Sequence, residues 1–147
     1  MERKPHSHRL RIGRHSEPGR LYLVTAVTQQ RRPVFDSLHA ARCLIRALHK
    51  EQQLGRADTL AFVVMPDHLH WLLELNEPAD LSAVVQSVKS VIAHRLGRSV
   101  WQKGFHDHAL RHDEDLLKVA RYVVANPLRA GLVTRLGDYP HWDAIWL

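Results

Sequence analysis

Residues 62–75, FVVMPDHLHWLLEL, join two apolar strands through a short turn and place two histidines at the start of the second strand. His68 and His70 stand two positions apart, so both rings project from the same face of a sheet. Two parallel imidazoles on stiff backbone form half of a site for a divalent metal ion. The alternative is a pair of core or edge histidines that are satisfied by hydrogen bonds.

Strands and amphipathic helices alternate on both sides of this segment. β-Branched and apolar content predicts strands over residues 21–28, 59–65, 68–75 and 100–111. Ser37 and Asp80 are predicted to cap two helices, and Gly97 to end the second. Apolar spacing of three and four defines the buried stripes. These stripes are Leu38, Ala41, Leu44, Ile45 and Leu48 in the first helix, and Leu81, Val84, Val85, Val88, Val91 and Ile92 in the second.

A third helix is predicted from about Asp113 to Asn126-Pro127, with its core stripe at Leu116, Leu117, Ala120 and Val124. Tyr122 falls nearly opposite that stripe, with Lys118 and Asn126 one turn to either side. A surface or interface tyrosine is the commoner fate of such a residue. The functional alternative is a phenol displayed beside a carboxamide that can bind a hard cation, and the spacing leaves both open.

The order β-α-β-β-α-β is that of the ferredoxin-like fold, or split βαβ. We therefore predict an α+β protein with an antiparallel sheet whose first and third strands are central. Two helices are expected on one face, which leaves the other for a ligand or for the added C-terminal helix that carries the tyrosine. His68 and His70 would then lie mid-sheet, where rigid backbone holds a site in place.

Composition bounds the possible functions. The 147 residues fit a single domain over 1–147, with a basic arm at 1–19 and a C-terminal tail at 136–147. Lys and Arg number 21 against 15 acidic residues, a net charge of +6 that suggests nucleic acid or an anionic membrane surface as partner. No apolar run is long enough for a membrane span or a signal peptide, and Cys43 is the single cysteine, so we expect a reducing, cytoplasmic setting.

Several other side chains are weaker candidates. Phosphate contacts are assigned to basic residues of the arm, the first loop and the second helix, although charges on helix surfaces are usually only solvated. These residues are Arg9, Arg11, Arg14, Arg31, Arg32, Lys89 and Arg95. A second H-x-H, His106-Asp107-His108, has a charged centre, which favours a structural or DNA-proximal role over metal binding. Trp71 is expected in the core, whereas Trp101, Trp142 and Trp146 can either pack or stack on bases.

Four blocks together resemble a known family. The apolar strand ending in His68-Leu69-His70 is similar to the HUH motif, in which a hydrophobic residue separates two histidines. Residues 122–133, YVVANPLRAGLV, resemble the tyrosine helix of single-tyrosine HUH transposases. With residues 100–111 and the opening block at 21–35, they resemble the REP-associated tyrosine transposases. The resemblance spans about residues 20–135.

This resemblance implies a prokaryotic, cytoplasmic endonuclease and strand transferase that acts on single-stranded DNA beside hairpins such as REP elements. It implies that His68, His70 and Asn126 bind Mg²⁺ or Mn²⁺, and that Tyr122 forms a 5′-phosphotyrosine. Two rival functions remain: a non-catalytic single-stranded nucleic-acid-binding module, and a metal-dependent hydrolase that uses an activated water. A monomer is favoured and a homodimer is the alternative; the residues identify no general base.

Overall fold

The computed structural model describes residues 20–111 and 116–145. Arg9, Arg11 and Arg14 of the predicted arm, the predicted start of the third helix at Asp113, and Trp146 lie outside the described residues. No helix within the described ranges is both long enough and apolar enough to cross a membrane.

A five-stranded antiparallel sheet organises the molecule, with the order β4-β1-β3-β2-β5. Its strands are β1 (Leu21–Val27), β2 (Ala57–Met65), β3 (His68–Leu75), β4 (His106–Ala109) and β5 (Trp142–Ala144). β1 and β3 are central, as predicted, so the α+β, ferredoxin-like arrangement is confirmed. β5 was not predicted: it lies in the C-terminal tail and pairs with β2, with Trp142 opposite Val63.

Two helices cover one face of the sheet, α1 (Leu38–Gln53) and α2 (Leu81–Leu96). The Ser37 hydroxyl accepts from the Ala40 N–H, and the Asp80 carboxylate accepts from the Ala83 N–H, both at 3.2 Å. Each cap therefore satisfies an N–H group that the first helical turn leaves unpaired. Gly97 ends α2 in the left-handed region at φ 66°, which a residue without a Cβ adopts without strain.

The opposite face carries α3 (Leu116–Val124) and the short α4 (Asn126–Arg129). Buried residues of α3 pack on Ala61, Val63, Met65 and Leu72 of the sheet. Because side chains alternate along β3, His68 and His70 share the face of Leu72. The histidine pair and the tyrosine helix therefore lie on the same side of the sheet.

The predicted strand over 100–111 is shorter than expected. Only His106–Ala109 forms β4, and Trp101 makes an isolated bridge to Thr28. Lys89 Nζ donates to the carbonyls of Gln102 and Gly104 at 2.9 and 2.6 Å, which withdraws both groups from strand pairing. The loop before β4 is thus organised by a lysine of α2 in addition to its backbone contacts with the end of β1.

The third helix also differs from the prediction, since it breaks before Pro127 and resumes as α4. Proline has no N–H to donate to the carbonyl of Val123 four residues earlier. The Asn126 side-chain Nδ2 donates to that carbonyl instead, at 3.3 Å. The break therefore changes where Asn126 and α4 lie relative to Tyr122.

Three predicted core positions are wrong. Leu38 of α1 is 52% exposed, Val91 of α2 is 39% exposed and Leu117 of α3 is 36% exposed. In α3 the buried stripe contains Val123 in place of Leu117, because positions 116, 120, 123 and 124 keep the spacing of four and three along one face. Val91 falls at the edge of the α2 stripe and outside the contact with the sheet.

The three tryptophans among the described residues are packed against protein. Trp71 is buried, as predicted, and its Nε1 donates to the Thr59 hydroxyl at 2.9 Å. Trp101 is also buried, with its Nε1 donating to the Lys89 carbonyl at 3.1 Å and its ring 5.5 Å from that of Phe35. Trp142 is half-buried, and its Nε1 donates to the Leu136 carbonyl at 3.2 Å. These contacts favour packing over base stacking for Trp101.

Candidate active site

His68 and His70 lie at the start of β3 with their ring centroids 4.8 Å apart and their planes at 82°. Both residues are half-buried. The rings are held close enough for one small ion to reach both. This agrees with the expectation that both point to one face of the sheet.

Each ring is oriented by an oxygen at Nδ1. His68 Nδ1 lies 2.7 Å from Asp67 Oδ1, and His70 Nδ1 lies 2.9 Å from the Thr25 hydroxyl oxygen. Thr25 is directly opposite His70 in the pairing of β1 with β3. A ring that donates from Nδ1 keeps its Nε2 lone pair, and metal-binding histidines are commonly fixed by such an outer partner.

Electrostatics keep His70 neutral. Burial, together with the charges of His68 and Arg129, lowers the pKa of His70 to about 4. Neutral imidazole is the form that binds a metal. Burial alone would raise the pKa of Asp67, but hydrogen bonds from His68 and Arg31 outweigh it and lower that pKa below the ordinary value. Asp67 is therefore an anionic anchor for the His68 ring.

The turn that carries Asp67 is clamped by the loop after β1. Thr28 donates to the Asp67 carbonyl from its N–H at 3.0 Å and from its hydroxyl at 3.1 Å. Arg31 Nη1 donates to Asp67 Oδ2 at 2.9 Å. Gln30 and Arg31 adopt φ of 54° and 51°, a region that costs a non-glycine residue about 1–3 kcal/mol. The loop bears this strain while it places Arg31 against Asp67.

Tyr122 is exposed, as predicted, at 57% of its surface. Arg129 of α4 stacks on it, with Cζ 3.8 Å from the ring centroid. The same arginine donates from Nη2 to the Tyr122 carbonyl at 2.6 Å. The charge of Arg129 also contributes to the lowered pKa of His70, so the same side chain interacts with the tyrosine and acts on the histidine pair.

Asn126 is half-buried, one helical turn beyond Tyr122. Its bond to the Val123 carbonyl uses the amide nitrogen, so Oδ1, the atom that a hard cation binds, is not consumed by it. The described residues contain no group of three or more His, Cys, Asp or Glu side chains that could hold a metal. A metal at His68 and His70 would therefore need a ligand of another type, and a carboxamide oxygen fits that need.

The basic candidates separate into different roles. Lys89 corrects the prediction, because it is buried and its ammonium donates to two loop carbonyls instead of facing a phosphate. Arg31 forms an ion pair with Asp67, although 61% of its side chain is exposed. Arg32 and Arg95 are exposed, and a phosphate role for them stays a prediction.

The second H-x-H lies on β4. His106 is opposite Thr25 and His108 is opposite Leu23 in the pairing with β1. Both are exposed, and both share the face of His70, with β1 between them. Their position beside the histidine pair agrees with a DNA-proximal role, which stays a prediction.

Sequence reasoning missed three residues of the site: Thr25, Asp67 and Arg129. Asp67 precedes the first histidine directly, and this adjacency could have drawn attention to it. Arg129 follows Tyr122 by seven positions, a spacing that returns to the same helical face. Thr25 carries no local signal, because only the strand register brings it to His70.

Comparison with known proteins agrees with this geometry. The model of the family described as "Transposase IS200 like" matches residues 20–126. A REP-associated tyrosine transposase of Escherichia coli K12 is 33% identical over 82 residues, covering 54% of this chain. The chain spans about half of that relative, 50% of its length. A Haemophilus influenzae protein assigned to the same group is 26% identical over 141 residues, which is 84% of this chain and 78% of the relative.

Two solved structures have the same fold. One is a REP-associated tyrosine transposase bound to a REP hairpin, with a TM-score of 0.77, 26% identity, and coverage of 88% of this chain and 79% of that one. The other, described as a transposase from Deinococcus radiodurans, has a TM-score of 0.53, 19% identity, and coverage of 78% and 95%. The second likeness concerns the fold alone. From the family match over residues 20–126, the chain belongs to the IS200-like transposase family, and it is similar to the REP-associated tyrosine transposases.

Proposed function

We propose that this protein is a metal-dependent single-stranded DNA endonuclease and strand transferase that forms a 5′-phosphotyrosine beside DNA hairpins. The observation that carries the proposal is that the helix of Tyr122 packs on the sheet face that His68 and His70 share, with Arg129 stacked on Tyr122. The contribution of Arg129 to the lowered pKa of His70 supports the proximity of the candidate nucleophile to the candidate metal-binding pair. The similar structure bound to a REP hairpin supports hairpin DNA as the substrate.

The donor set fits a divalent ion. The Nε2 atoms of His68 and His70 and Oδ1 of Asn126 would hold Mg²⁺ or Mn²⁺ and leave positions open for phosphate oxygens. Such an ion would neutralise the charge of the scissile phosphate and polarise the phosphorus. The Asp67 carboxylate accepts from Nδ1 of His68 and so leaves Nε2 of that ring free, and the Thr25 hydroxyl would do the same for His70 by accepting from its Nδ1.

Tyr122 supplies the nucleophile. Its Oη loses a proton and bonds to phosphorus, the bond from phosphorus to the 3′ oxygen breaks, and that oxygen gains a proton. Attack of a 3′-hydroxyl on the phosphotyrosine reverses these changes and joins a strand, so no external energy source is needed. Arg129 is a positioning residue in this scheme because it fixes both the ring and the backbone of Tyr122.

The test is a denaturing gel of protein, Mn²⁺ and labelled single-stranded DNA that contains a hairpin. We expect a protein–DNA species that survives denaturation, with DNA attached through its 5′-phosphate and a free 3′-hydroxyl on the released fragment. Tyr122→Phe deletes one oxygen from an exposed ring, so it should keep DNA binding and lose the adduct. Tyr139→Phe, the same change at another tyrosine, is the matched control and should keep the adduct.

Other outcomes identify the rival functions. Cleavage that continues in Tyr122→Phe would replace the nucleophile with an activated water. Binding of hairpin DNA without cleavage by the wild-type protein would identify a non-catalytic binding module.

A further inference from the structure

The outer face of α1 carries an unbroken row of basic side chains. Its members are all exposed: His39, Arg42, Arg46, His49 and Lys50. With 3.6 residues per turn they fall within an arc of about 100°, so they form one stripe, called here the α1 basic stripe. At a rise of about 1.5 Å per residue, the stripe is roughly 16 Å long.

No acidic side chain of the helix opposes this charge at the surface. Glu51 is the one acidic residue of α1, and it is 2% exposed. Its two carboxylate oxygens accept from Arg56 Nε and Nη2 at 2.7 and 2.8 Å. Arg56, which lies beyond the end of the helix, therefore neutralises Glu51, whereas the stripe faces solvent. Helices that only need solubility usually intersperse both signs of charge.

The stripe lies on the other side of the sheet from the candidate active site. α1 packs on the face that includes Trp71 and Leu73, whereas His68, His70 and α3 lie on the opposite face. DNA bound to the stripe would therefore lie on the opposite side of the sheet from the phosphate that reacts with Tyr122. The positive charge of the stripe also acts at the edge of the sheet. There the charge of Arg42, together with burial, lowers the pKa of His141.

We propose that the α1 basic stripe binds the phosphate backbone of duplex DNA in the stem of the hairpin. A straight, rigid row of roughly 16 Å spans about four to five base-pair steps along the axis of a duplex, at about 3.4 Å each. A duplex offers that regular spacing, whereas the unpaired strand must bend towards the site on the opposite face. This inference rests on the proposed function, because it assigns a surface to the hairpin part of the same substrate.

The test compares two double variants with the same change of charge. Arg42→Gln with Arg46→Gln neutralises the two arginines of the stripe, and Arg121→Gln with Arg135→Gln neutralises two exposed arginines outside it. Affinity is measured in EDTA, which prevents cleavage, for a labelled hairpin and for an unpaired strand of the same length. The measurement is repeated over a series of salt concentrations.

We expect the stripe variant to lose hairpin affinity severalfold more than it loses affinity for the unpaired strand. The slope of log affinity against log salt for the hairpin should become shallower by about 1.8, or about 0.9 for each lost phosphate contact. Equal losses on both DNAs, an equal loss of hairpin affinity in the control variant, or an unchanged slope would each overturn the proposal. Formation of the adduct by the wild-type protein reports on the proposed function separately, because this binding assay requires neither metal nor Tyr122.

Discussion

Arg129 holds Tyr122 by two contacts across the break at Pro127. Its guanidinium carbon lies 3.8 Å from the ring centroid, and its Nη2 donates to the Tyr122 carbonyl at 2.6 Å. A planar guanidinium can stack on a ring and donate from its edge at the same time, which an ammonium cannot. The proline break is what brings a residue of α4 back over the preceding helix.

We therefore predict that Arg129→Ala slows formation of the phosphotyrosine by roughly 100-fold, the scale expected for a misplaced reacting group. Single-turnover rates and DNA affinity should be measured separately. Arg129→Lys should recover only part of the rate, since it keeps the charge and loses the stacked plane. Arg121→Ala, at an exposed arginine of α3, is the control. A loss confined to DNA affinity would make Arg129 a phosphate ligand instead.

The second prediction concerns the candidate metal ligands. His68→Ala or His70→Ala should abolish Mn²⁺ binding in calorimetry, because each removes one of few ligands. Asn126→Ala should weaken binding less, since a water can take the place of an amide oxygen. His94→Ala, at an exposed histidine of α2, should leave the affinity unchanged. Unchanged Mn²⁺ affinity in His68→Ala would remove this site from the mechanism.

The third prediction separates two neighbouring arginines. Arg31 donates to Asp67, which holds the ring of His68, whereas Arg32 is exposed. Arg31→Ala should weaken Mn²⁺ affinity by about tenfold, the lower end of the range for outer partners of a metal ligand. Arg32→Ala should leave it unchanged and reduce only DNA affinity.

Arg31→Gly tests whether the contact or the backbone matters. Glycine relieves the strain at φ 51° but also removes the guanidinium. Weakened Mn²⁺ binding with raised thermal stability would assign the effect to the lost contact. If Arg31→Gly bound Mn²⁺ like the wild type, the pairing with Asp67 would have no role at the metal.

The fourth prediction uses Tyr139, whose hydroxyl donates to the Val64 carbonyl at 2.6 Å. Burial, with a contribution from Asp36, raises the pKa of Tyr139 to about 12 from an ordinary value of 10.0. Because the pKa of Tyr139 is higher in the folded state, its protonated hydroxyl stabilises the folded state fully below pH 10. This stabilisation is lost towards about pH 12. The difference in melting temperature between wild type and Tyr139→Phe should therefore shrink across that window. A constant difference would show that the phenol does not couple to folding.

The main elements could be predicted because their signals are local. Ser37 and Asp80 cap their helices through side chains three residues from the N–H they bind, and Gly97 ends α2 where its position requires positive φ. β5 could not be predicted: three residues are too few to show alternation, and β2 provides the pairing. The shortened β4 likewise depends on Lys89, which acts from a different helix.

In the candidate site, too, some features follow from local sequence and others depend on tertiary contacts. The common direction of His68 and His70 follows from strand parity alone, and the exposure of Tyr122 follows from helical periodicity. The partners that orient these groups depend on tertiary contacts. Thr25 reaches His70 through strand register, Arg31 reaches Asp67 through a loop with positive φ, and Arg129 reaches Tyr122 through the break before Pro127.

The pairing of β5 with β2 has a consequence for how copies of this chain can associate. A sheet grows by offering unpaired backbone groups at an edge, and β5 covers that edge of β2. Among the described strands, the other edge is β4, which is only four residues long. A neighbour that extended the sheet there would lie beside His106 and His108, on the flank of the histidine pair. Assembly through strand addition at β4 and access of DNA to that flank would therefore compete for the same edge.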